Sequence, residues 1–173
     1  EECDYPLHVV ITEAGFGQYA KVKSAAGIGT ILMQGIGNTI RASLMGDPVE
    51  EVKLCYDILK ATGVRVTGPE LIACPTCGRI QIDLDELVNK VSERIKGVKE
   101  PIKISVLGCP VNGPGEAREA DIGIAGGNGK GWVYRDGAVV KTVPEDQLVD
   151  ALEDEIKVFL AQKEAARQLS KKS

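Results

Sequence analysis

The chain has 173 residues, of which 43% are hydrophobic, 27% are charged and 4% are aromatic, and its formal net charge is −4. This length fits one domain or two small ones, and the composition is that of a globular protein. No apolar run approaches the roughly 20 residues that a membrane-spanning helix needs. The acidic balance disfavours binding to a nucleic-acid backbone. We therefore expect neither a membrane nor a nucleic-acid partner.

The cysteines indicate a reducing compartment. Their number, five, is odd, and the first residues carry no basic-then-apolar signal peptide. A secreted disulfide scaffold is therefore disfavoured, and we expect a cytoplasmic protein whose cysteines bind metal, act in catalysis or are buried. The chain begins at Glu1 without an initiator Met, so we expect a processed or truncated piece of a longer protein.

Residues 1–64 are predicted to form two strand–helix units. In chain order these are a strand over 7–12, a helix over 18–33, a strand over 39–44, and a helix with Asp47 as its cap, Pro48 at its first position, Glu50 completing a capping box and Gly63 as its stop. Strands that alternate with helices predict parallel α/β packing. Two strands cannot close a sheet, so we expect further structure to complete this part.

Residues 65–173 are predicted to form a second, α+β domain. It begins with a Gly- and Pro-rich loop region that contains Cys74 and Cys77. The elements predicted after it are a short strand at Ile80 and Ile82, a helix capped by Asp83 and Glu86 and ended by Gly97, a strand over 102–106, strands at 121–125, 132–135 and 138–143, and a closing helix from Pro144. Asp136-Gly137 predicts a hairpin between the last two strands.

The strongest chemical signal is Cys74-Pro-Thr-Cys77 together with Cys109 and Glu116. Two thiolates separated by two residues can hold one metal centre from a single turn, and a third thiolate from a distant loop closes the site. Structural zinc prefers four Cys or His ligands, and the single histidine, His8, lies in the other predicted domain. An iron–sulfur cluster accepts an unusual fourth ligand, for which Glu116 is the nearest candidate.

Two other interpretations of these cysteines stay open on spacing alone. One is a zinc-binding module with an interaction role. The other is thiol–disulfide exchange through Cys74 and Cys77, which requires the pair at the start of a helix after a strand, whereas a strand is predicted to follow Gly78. Cys55 lies on the apolar face of a predicted helix and is expected in the core. The glycine-rich run 126–131 lacks the P-loop pattern and predicts a hairpin loop.

Long motifs in the chain resemble the hydroxymethylbutenyl diphosphate synthase family, also called IspG or GcpE. They are Gly68-Pro-Glu-Leu-Ile-Ala-Cys-Pro-Thr-Cys-Gly-Arg79, Gly108-Cys-Pro-Val-Asn-Gly-Pro-Gly-Glu116 and residues 120–127, with further similarity over 7–15 and 35–44. The resemblance weakens only in the C-terminal helix. It implies the last two strand–helix units of a TIM-type barrel over 1–64, followed over 65–173 by a cluster domain resembling the ferredoxin-like fold of sulfite and nitrite reductases.

The family's enzyme acts in the methylerythritol phosphate, or non-mevalonate, route to isoprenoids. It is an oxidoreductase that reductively opens methylerythritol cyclodiphosphate, with loss of water, to give hydroxymethylbutenyl diphosphate. It uses a [4Fe-4S] cluster and electrons from ferredoxin or flavodoxin. The resemblance implies that Cys74, Cys77 and Cys109 are the cluster thiolates and that Glu116 is the fourth ligand.

The resemblance also implies residues for the substrate. Glu13 matches a carboxylate at a barrel strand's C-terminal end, where it could handle the proton needed to expel water. Asn112 matches a position near the bound substrate, or is simply a turn residue. Arg41 resembles a diphosphate-binding arginine, with Ser43 a weaker candidate beside it. His8 either lines the same pocket or is a core histidine.

In the family, a homodimer shares each site, because the cluster domain of one subunit covers the barrel mouth of the other. Most of the barrel, with most of the basic residues that hold the diphosphate, precedes the segment that this chain resembles. We therefore expect a C-terminal fragment that holds the cluster but does not turn over substrate alone. Asn38 and Ala42 stand where family members commonly carry Asp and Val, which are mild changes.

Overall fold

The computed structural model describes residues 4–109, 111, 115 and 119–170. The chain divides into two compact units, Glu1–Thr67 and Gly68–Ser173, and each has its own hydrophobic core. This division falls three residues after the boundary placed on the sequence. No helix in the described part of the chain is long and apolar enough to cross a lipid bilayer.

The first unit alternates strands and helices. Its elements are β1 (His8–Val10), α1 (Gly17–Leu32), β2 (Thr39–Arg41) and α2 (Pro48–Ala61). The two strands are parallel, with His8 opposite Thr39 and Val10 opposite Arg41. Both strands are shorter than predicted. After β2 the chain turns towards α2, because the main-chain N–H of Leu44 donates to the Glu51 carboxylate at 2.8 Å.

The alternation of side chains gives the small sheet two different faces. Val9 and Ile40 contact the core that the helices cover, which also includes Ile28, Leu54 and Ile58. Because successive side chains of a strand point to opposite faces, the neighbours of Val9 and Ile40 point away from the helices. His8, Thr39 and Arg41 therefore share the other face of the sheet.

Helix α2 begins as the sequence predicts, but its capping box is incomplete. The Asp47 carboxylate accepts a hydrogen bond from the main-chain N–H of Val49 at 2.9 Å, and Pro48 occupies the first helical turn. Glu50 does not reach back to the cap. Its carboxylate instead forms ion pairs with Lys53 at 2.8 Å and Lys21 at 3.6 Å.

The second unit contains a five-stranded mixed sheet. Its elements are β3 (Pro69–Ala73), α3 (Leu84–Ile95), β4 (Ile102–Leu107), β5 (Ile122–Gly127), β6 (Lys130–Arg135), β7 (Ala138–Pro144), a 3-10 turn (Glu145–Gln147) and α4 (Leu148–Ser170). The strands lie in sequence order. Neighbours are parallel from β3 to β5 and antiparallel from β5 to β7.

The mixed α/β architecture is confirmed, whereas the ferredoxin-like comparison is not. In the split βαβ arrangement of that fold another strand lies between the two parallel strands that a helix connects. Here β3 and β4, which α3 connects, are direct neighbours in the sheet.

Several predicted elements of the second unit are confirmed. The Asp83 carboxylate accepts a hydrogen bond from the main-chain N–H of Glu86 at 2.9 Å and caps α3. Asp136 and Gly137, with φ of 49° and 78°, form the tight turn between β6 and β7. The glycine-rich run 126–131 is a hairpin, with its turn at Asn128.

Three predictions in this unit are wrong in detail. The region expected to be a loop before Cys74 contains strand β3, which Pro can begin because the first residue of an edge strand need not donate to the ladder. Ile80 and Ile82 do not form a strand. The closing helix begins at Leu148, after a 3-10 turn, and not at Pro144.

Both faces of the larger sheet carry apolar side chains. One face packs against α3 and α4 and forms the main core, which includes Val91, Ile104, Val106, Ile124 and Leu152. The other face carries a smaller cluster of Leu107, Ala125 and Tyr134, with Cys74 and Trp132 packed against it. Cys74 also contacts the main core, so this cysteine lies where the two cores meet at the end of β3.

Candidate functional site

The predicted cluster cysteines lie at the carboxyl ends of two neighbouring parallel strands. Cys74 directly follows β3, and Cys109 follows β4 after one glycine. The β3–β4 ladder continues into the cysteine motif, because the main-chain N–H of Cys74 donates to the Val106 carbonyl at 3.0 Å. The carboxyl ends of parallel strands lie at the same edge of a sheet. The fold therefore brings the two cysteine loops to one edge.

Main-chain hydrogen bonds hold the two cysteine loops together. The N–H of Ile80 donates to the Cys77 carbonyl at 3.1 Å and closes a turn after the second cysteine of the motif. The N–H of Gln81 then donates to the Gly108 carbonyl at 2.9 Å. The segment after Cys77 is thus fixed against the residue that precedes Cys109.

The three cysteines differ in exposure. Cys109 is only 4% exposed, Cys74 is half-buried and Cys77 is exposed. Cys74 rests on the apolar cluster that includes Leu107 and Tyr134. One side of the candidate metal centre is therefore apolar and protected, and the side at Cys77 is open to solvent.

Arg79 is a charged partner of the cysteines that the sequence analysis did not identify. The pKa of its guanidinium is raised above the usual value, mainly because the side chain hydrogen-bonds Cys77, with further electrostatic contributions from Cys77, Cys109 and Cys74. Arg79 ends the first family motif of the sequence, but the motif alone does not show that its side chain approaches Cys77.

The arrangement of the potential ligand side chains can be compared with that of a metal centre. Within the residues that the structure describes, no three Cys, His, Asp or Glu side chains lie close enough to hold one metal ion. Glu116 and Asn112 lie outside those residues. Cys74, Cys77 and Cys109 are among the described residues, so it is the soft chemistry of three thiols, which favours zinc or iron–sulfur centres over hard cations, and not their spacing here, that suits the predicted cluster.

The predicted substrate residues of the first unit form two pairs at opposite ends of its strands, because His8 begins β1 whereas Arg41 ends β2. The His8 Nδ1 and the Thr39 Oγ1 are hydrogen-bonded at 2.7 Å. The Arg41 guanidinium donates to the Ser43 hydroxyl, with 3.5 Å between Nη2 and Oγ. Thr39 was not predicted as a site residue, and only the parallel register, in which it stands opposite His8, reveals it.

Glu13 is exposed and lies between β1 and α1. It thus follows the carboxyl end of β1, as Arg41 ends β2. The Lys23 ammonium donates to the main-chain carbonyl of Glu13 at 2.6 Å, which fixes its backbone and leaves the carboxylate out of that contact.

A cavity of about 290 Å³ lies beside β2 and α2 in the first unit. Arg41 and Arg65 line it, together with Glu51, Cys55 and Tyr56. Cys55 also packs against the core, as the sequence predicts, although it is only half-buried. The cavity therefore combines two guanidinium groups with an apolar wall.

Two protein-family profiles match the chain. The profile described as the GcpE protein C-terminal domain matches residues 70–158, and the profile described as the GcpE TIM-barrel domain matches residues 1–56. The first profile thus covers the five-stranded sheet with its cysteine loops. The second covers nearly all of the strand–helix unit that carries His8, Glu13 and Arg41.

Curated relatives agree with these matches. The 4-hydroxy-3-methylbut-2-en-1-yl diphosphate synthase (flavodoxin) of Bacillus mycoides (strain KBAB4) is 56% identical over 168 residues, which are 97% of this chain and 46% of that protein. The protein of the same name from Bacillus cereus (strain G9842) is 55% identical over 170 residues, covering 98% and 46%. The chain thus spans about half the length of these relatives. Because both profiles and the relatives match where the motifs predict, the resemblance is confirmed, and this chain belongs to the GcpE family.

Proposed function

We propose that this chain is the C-terminal portion of an iron–sulfur oxidoreductase of isoprenoid biosynthesis, acting in the cytoplasm. The whole enzyme would open methylerythritol cyclodiphosphate with two electrons and release water and hydroxymethylbutenyl diphosphate. The observation that carries this proposal is that the two loops that contain Cys74, Cys77 and Cys109 follow neighbouring parallel strands and are hydrogen-bonded to each other at one sheet edge. The relatives' printed name supports the reaction.

We assign Cys74, Cys77 and Cys109 as the thiolate ligands of a [4Fe-4S] cluster and Glu116 as its fourth ligand. Such a cluster, when bound, supplies electrons one at a time. Cys109 is held rigidly by the end of β4 and by burial, and Cys74 by the ladder bond to Val106. The fold thereby restrains two of the proposed ligands before any metal is bound. Less conformational entropy would then be lost when the cluster binds.

The first unit is proposed to bind the substrate. Arg41 would hold the diphosphate through its planar guanidinium, which matches phosphate oxygens in pairs, and the Ser43 hydroxyl already orients it. Glu13 would hold the proton that leaves with the expelled hydroxyl. His8 would line the pocket, with its Nδ1 occupied by Thr39, and Asn112 would contact substrate near the cluster.

The proposal includes partners for the whole enzyme. A flavodoxin or a ferredoxin would donate the electrons, and the relatives' names support the flavodoxin. The exposed side of the centre at Cys77 gives such a donor an approach. The family resemblance also supports a homodimer for the whole enzyme.

Anaerobic reconstitution tests the cluster assignment. The full chain would be treated with iron and sulfide, and visible absorption would be measured with iron and sulfide contents. We expect four irons and four sulfides per chain. Cys109→Ser should abolish the uptake, whereas Cys55→Ser, which removes a cysteine of the first unit, should leave it unchanged.

Other results would contradict the assignment. Tightly retained zinc without iron uptake would replace the redox function by a structural zinc module. Equal loss of iron in Cys55→Ser and Cys109→Ser would show that the effect of either change is general destabilisation. Circular dichroism of each variant provides the check on folding.

A further inference from the structure

The cavity beside β2 and α2 contains two arginines that form no ion pair. Arg41 and Arg65 both line this space of about 290 Å³. Among the ion pairs formed within the part of the chain that the structure describes, none involves Arg41 or Arg65. Like charges that share a small cavity repel each other. The fold therefore holds two guanidinium groups where one anion would stabilise both.

The position of Arg65 follows from the turn that ends α2. Gly63 has a φ of 70°, a left-handed conformation that suits glycine after a helix, and its N–H donates to the Lys60 carbonyl at 3.0 Å. The N–H of Arg65 then donates to the Leu59 carbonyl at 3.2 Å. The main chain thus folds back onto the last turn of α2. This return places Arg65 at the cavity beside Leu59, which also lines it.

Arg41 reaches the same cavity from the sheet. It is the last residue of β2, and its Nη2 donates to the Ser43 hydroxyl at 3.5 Å. A guanidinium has five N–H donors, so this contact leaves most of the donors of Arg41 for a ligand. Both arginines are exposed, and an anion can therefore reach them from solvent.

The rest of the cavity wall favours an anion with more than one negative charge. Glu51 also lines the cavity, and its Oε1 accepts from the main-chain N–H of Leu44 at 2.8 Å. Two guanidinium groups against this one carboxylate leave positive charge in excess. Tyr56 adds a hydroxyl, and the apolar part of the wall includes Ile40, Val52 and Leu59. A diphosphate has enough oxygens to pair with two planar guanidinium groups at once.

We propose that Arg41 and Arg65 form one binding site for a diphosphate group, in which each guanidinium pairs with a different phosphate. The ligand class is an organic diphosphate with a small carbon part, which would face the apolar wall. This inference rests on the proposed function in one respect, the assignment of Arg41 to the diphosphate. It adds Arg65 as the second binding residue and the cavity as the place of binding.

Isothermal titration calorimetry of the full chain with inorganic pyrophosphate tests the proposal. We expect one pyrophosphate to bind per chain, with an affinity that falls as salt is added, because exposed charges are screened. Inorganic phosphate should bind more weakly, since it offers only one phosphate to the two guanidinium groups. Arg65→Gln should lower the affinity for pyrophosphate about tenfold, which corresponds to the loss of one hydrogen bond to a charged group.

Two further variants distinguish the cavity from an effect of overall charge. Val52→Phe keeps both guanidinium groups but fills the cavity that Val52 lines, so it should also weaken the binding of pyrophosphate. Lys53→Gln is the matched control, because Lys53 lies on α2, forms an ion pair with Glu50 and does not line the cavity. Its affinity should equal that of the unsubstituted chain. Circular dichroism of each variant checks the folding.

Several outcomes would overturn the proposal. They are no binding of pyrophosphate by the folded chain, unchanged affinity in Arg65→Gln or in Val52→Phe, and equal affinities for phosphate and pyrophosphate. A loss in Lys53→Gln as large as in Arg65→Gln would also overturn it, because it would indicate a response to net charge. Iron uptake is measured separately. A chain that binds pyrophosphate but takes up no iron contradicts the cluster assignment alone, so the two failures are distinguishable.

Discussion

Tyr134 shows how burial of one polar side chain links stability to pH. It lies on the face of the larger sheet that carries Leu107 and Ala125 and is 2% exposed. Burial raises the pKa of its phenol above 10.0, because the apolar surroundings disfavour the charged phenolate. The unfolded chain therefore loses this proton first as the pH rises.

The expected outcome is a loss of stability in alkaline solution. The contribution of Tyr134 is complete below about pH 10, the pKa in the unfolded chain, and decreases as the pH rises towards the higher folded pKa. Tyr134→Phe should reduce the slope of unfolding free energy against pH in this range. Urea titrations followed by the fluorescence of Trp132, the single tryptophan, measure it.

Tyr56→Phe is the control for this prediction. Tyr56 is 45% exposed, so its removal should leave the alkaline slope unchanged. A slope that is the same in the unsubstituted chain and in Tyr134→Phe would contradict the assignment of this pH dependence to Tyr134.

Single residues also show what the sequence could and could not reveal about the candidate site. The short motif Cys74-Pro-Thr-Cys77, with Cys109 in a second Gly- and Pro-rich loop, predicts a metal centre because such a motif has few structural explanations, and the ligand set stays a prediction. Thr39 could not be identified, since a threonine occurs anywhere on a surface, and although Arg79 ends a family motif, that motif does not show what its side chain contacts. Their relevance depends on a turn and on a strand register, which are properties of the folded chain.

Helix α3 depends on one side chain at its start. The Asp83 carboxylate accepts from the Glu86 N–H at 2.9 Å and satisfies one of the helix's unpaired donors. Asp83→Ala should destabilise the second unit by about 1 kcal/mol. Asp83→Asn keeps a side-chain oxygen that can accept this hydrogen bond, so it should change the free energy of unfolding by only a few tenths of a kcal/mol. Urea unfolding followed by Trp132 fluorescence distinguishes the two, and equal losses would argue against the cap.

The packing of β6 on α4 leaves no room for a side chain at Gly131. A Cβ built on this glycine would lie 2.6 Å from the Cδ1 of Leu148, whose side chain is fully buried. Gly131→Ala should destabilise the second unit by about 1–3 kcal/mol through overpacking. The melting temperature measured by circular dichroism should fall accordingly.

Gly97→Ala is the matched control for this substitution. A Cβ at Gly97 meets no other atom within 4 Å, and its backbone is not left-handed. Its stability should change by less than about 1 kcal/mol and can increase, because Ala restricts the unfolded chain. Equal losses for both substitutions would show that the contact with Leu148 is not the cause.

The elements that the sequence predicted wrongly share a physical origin. The sequence analysis missed strand β3 because Gly68 and Pro69 at its start are typical of loops. Pro69 can nevertheless begin the strand, since the ladder with β4 needs no hydrogen-bond donor from it. Ile80 and Ile82 alternate like a strand, but they cover glycines instead: Ile80 lies over Gly108 and Ile82 over Gly126. The alternation of apolar and polar residues in the sequence does not distinguish an apolar residue that lies in a strand from one that packs over a glycine of the sheet.

The two units of the molecule differ in how much structure supports each strand. In the first unit β1 and β2 are three residues long and pair only with each other among the described strands. Isolated two-stranded sheets are marginally stable. In the second unit β4 and β5 each pair with two neighbours, and their apolar residues Ile104 and Ile124 are completely buried.

Hydrogen exchange should reveal this difference in local stability. Main-chain amides of β4 and β5 should exchange only through global opening of the second unit, whereas those of β1 and β2 should exchange orders of magnitude faster. Exchange of the full chain followed by mass spectrometry of peptides measures both. Equal protection in the two units would contradict the expectation and would indicate that the first unit is stabilised by more than its own core.

The path of the chain through the candidate metal centre also has a consequence during synthesis. The cysteine motif ends at Cys77, and the third sulfur follows 32 residues later, after α3 and β4 have been made. At about 5–20 residues per second, the ribosome needs about 2–6 s to cover this interval. For that time the new chain presents two thiols without the third. The three thiols are all present only after β4 and the following Cys109 have been made, so the proposed cluster would have to be delivered after translation of that segment.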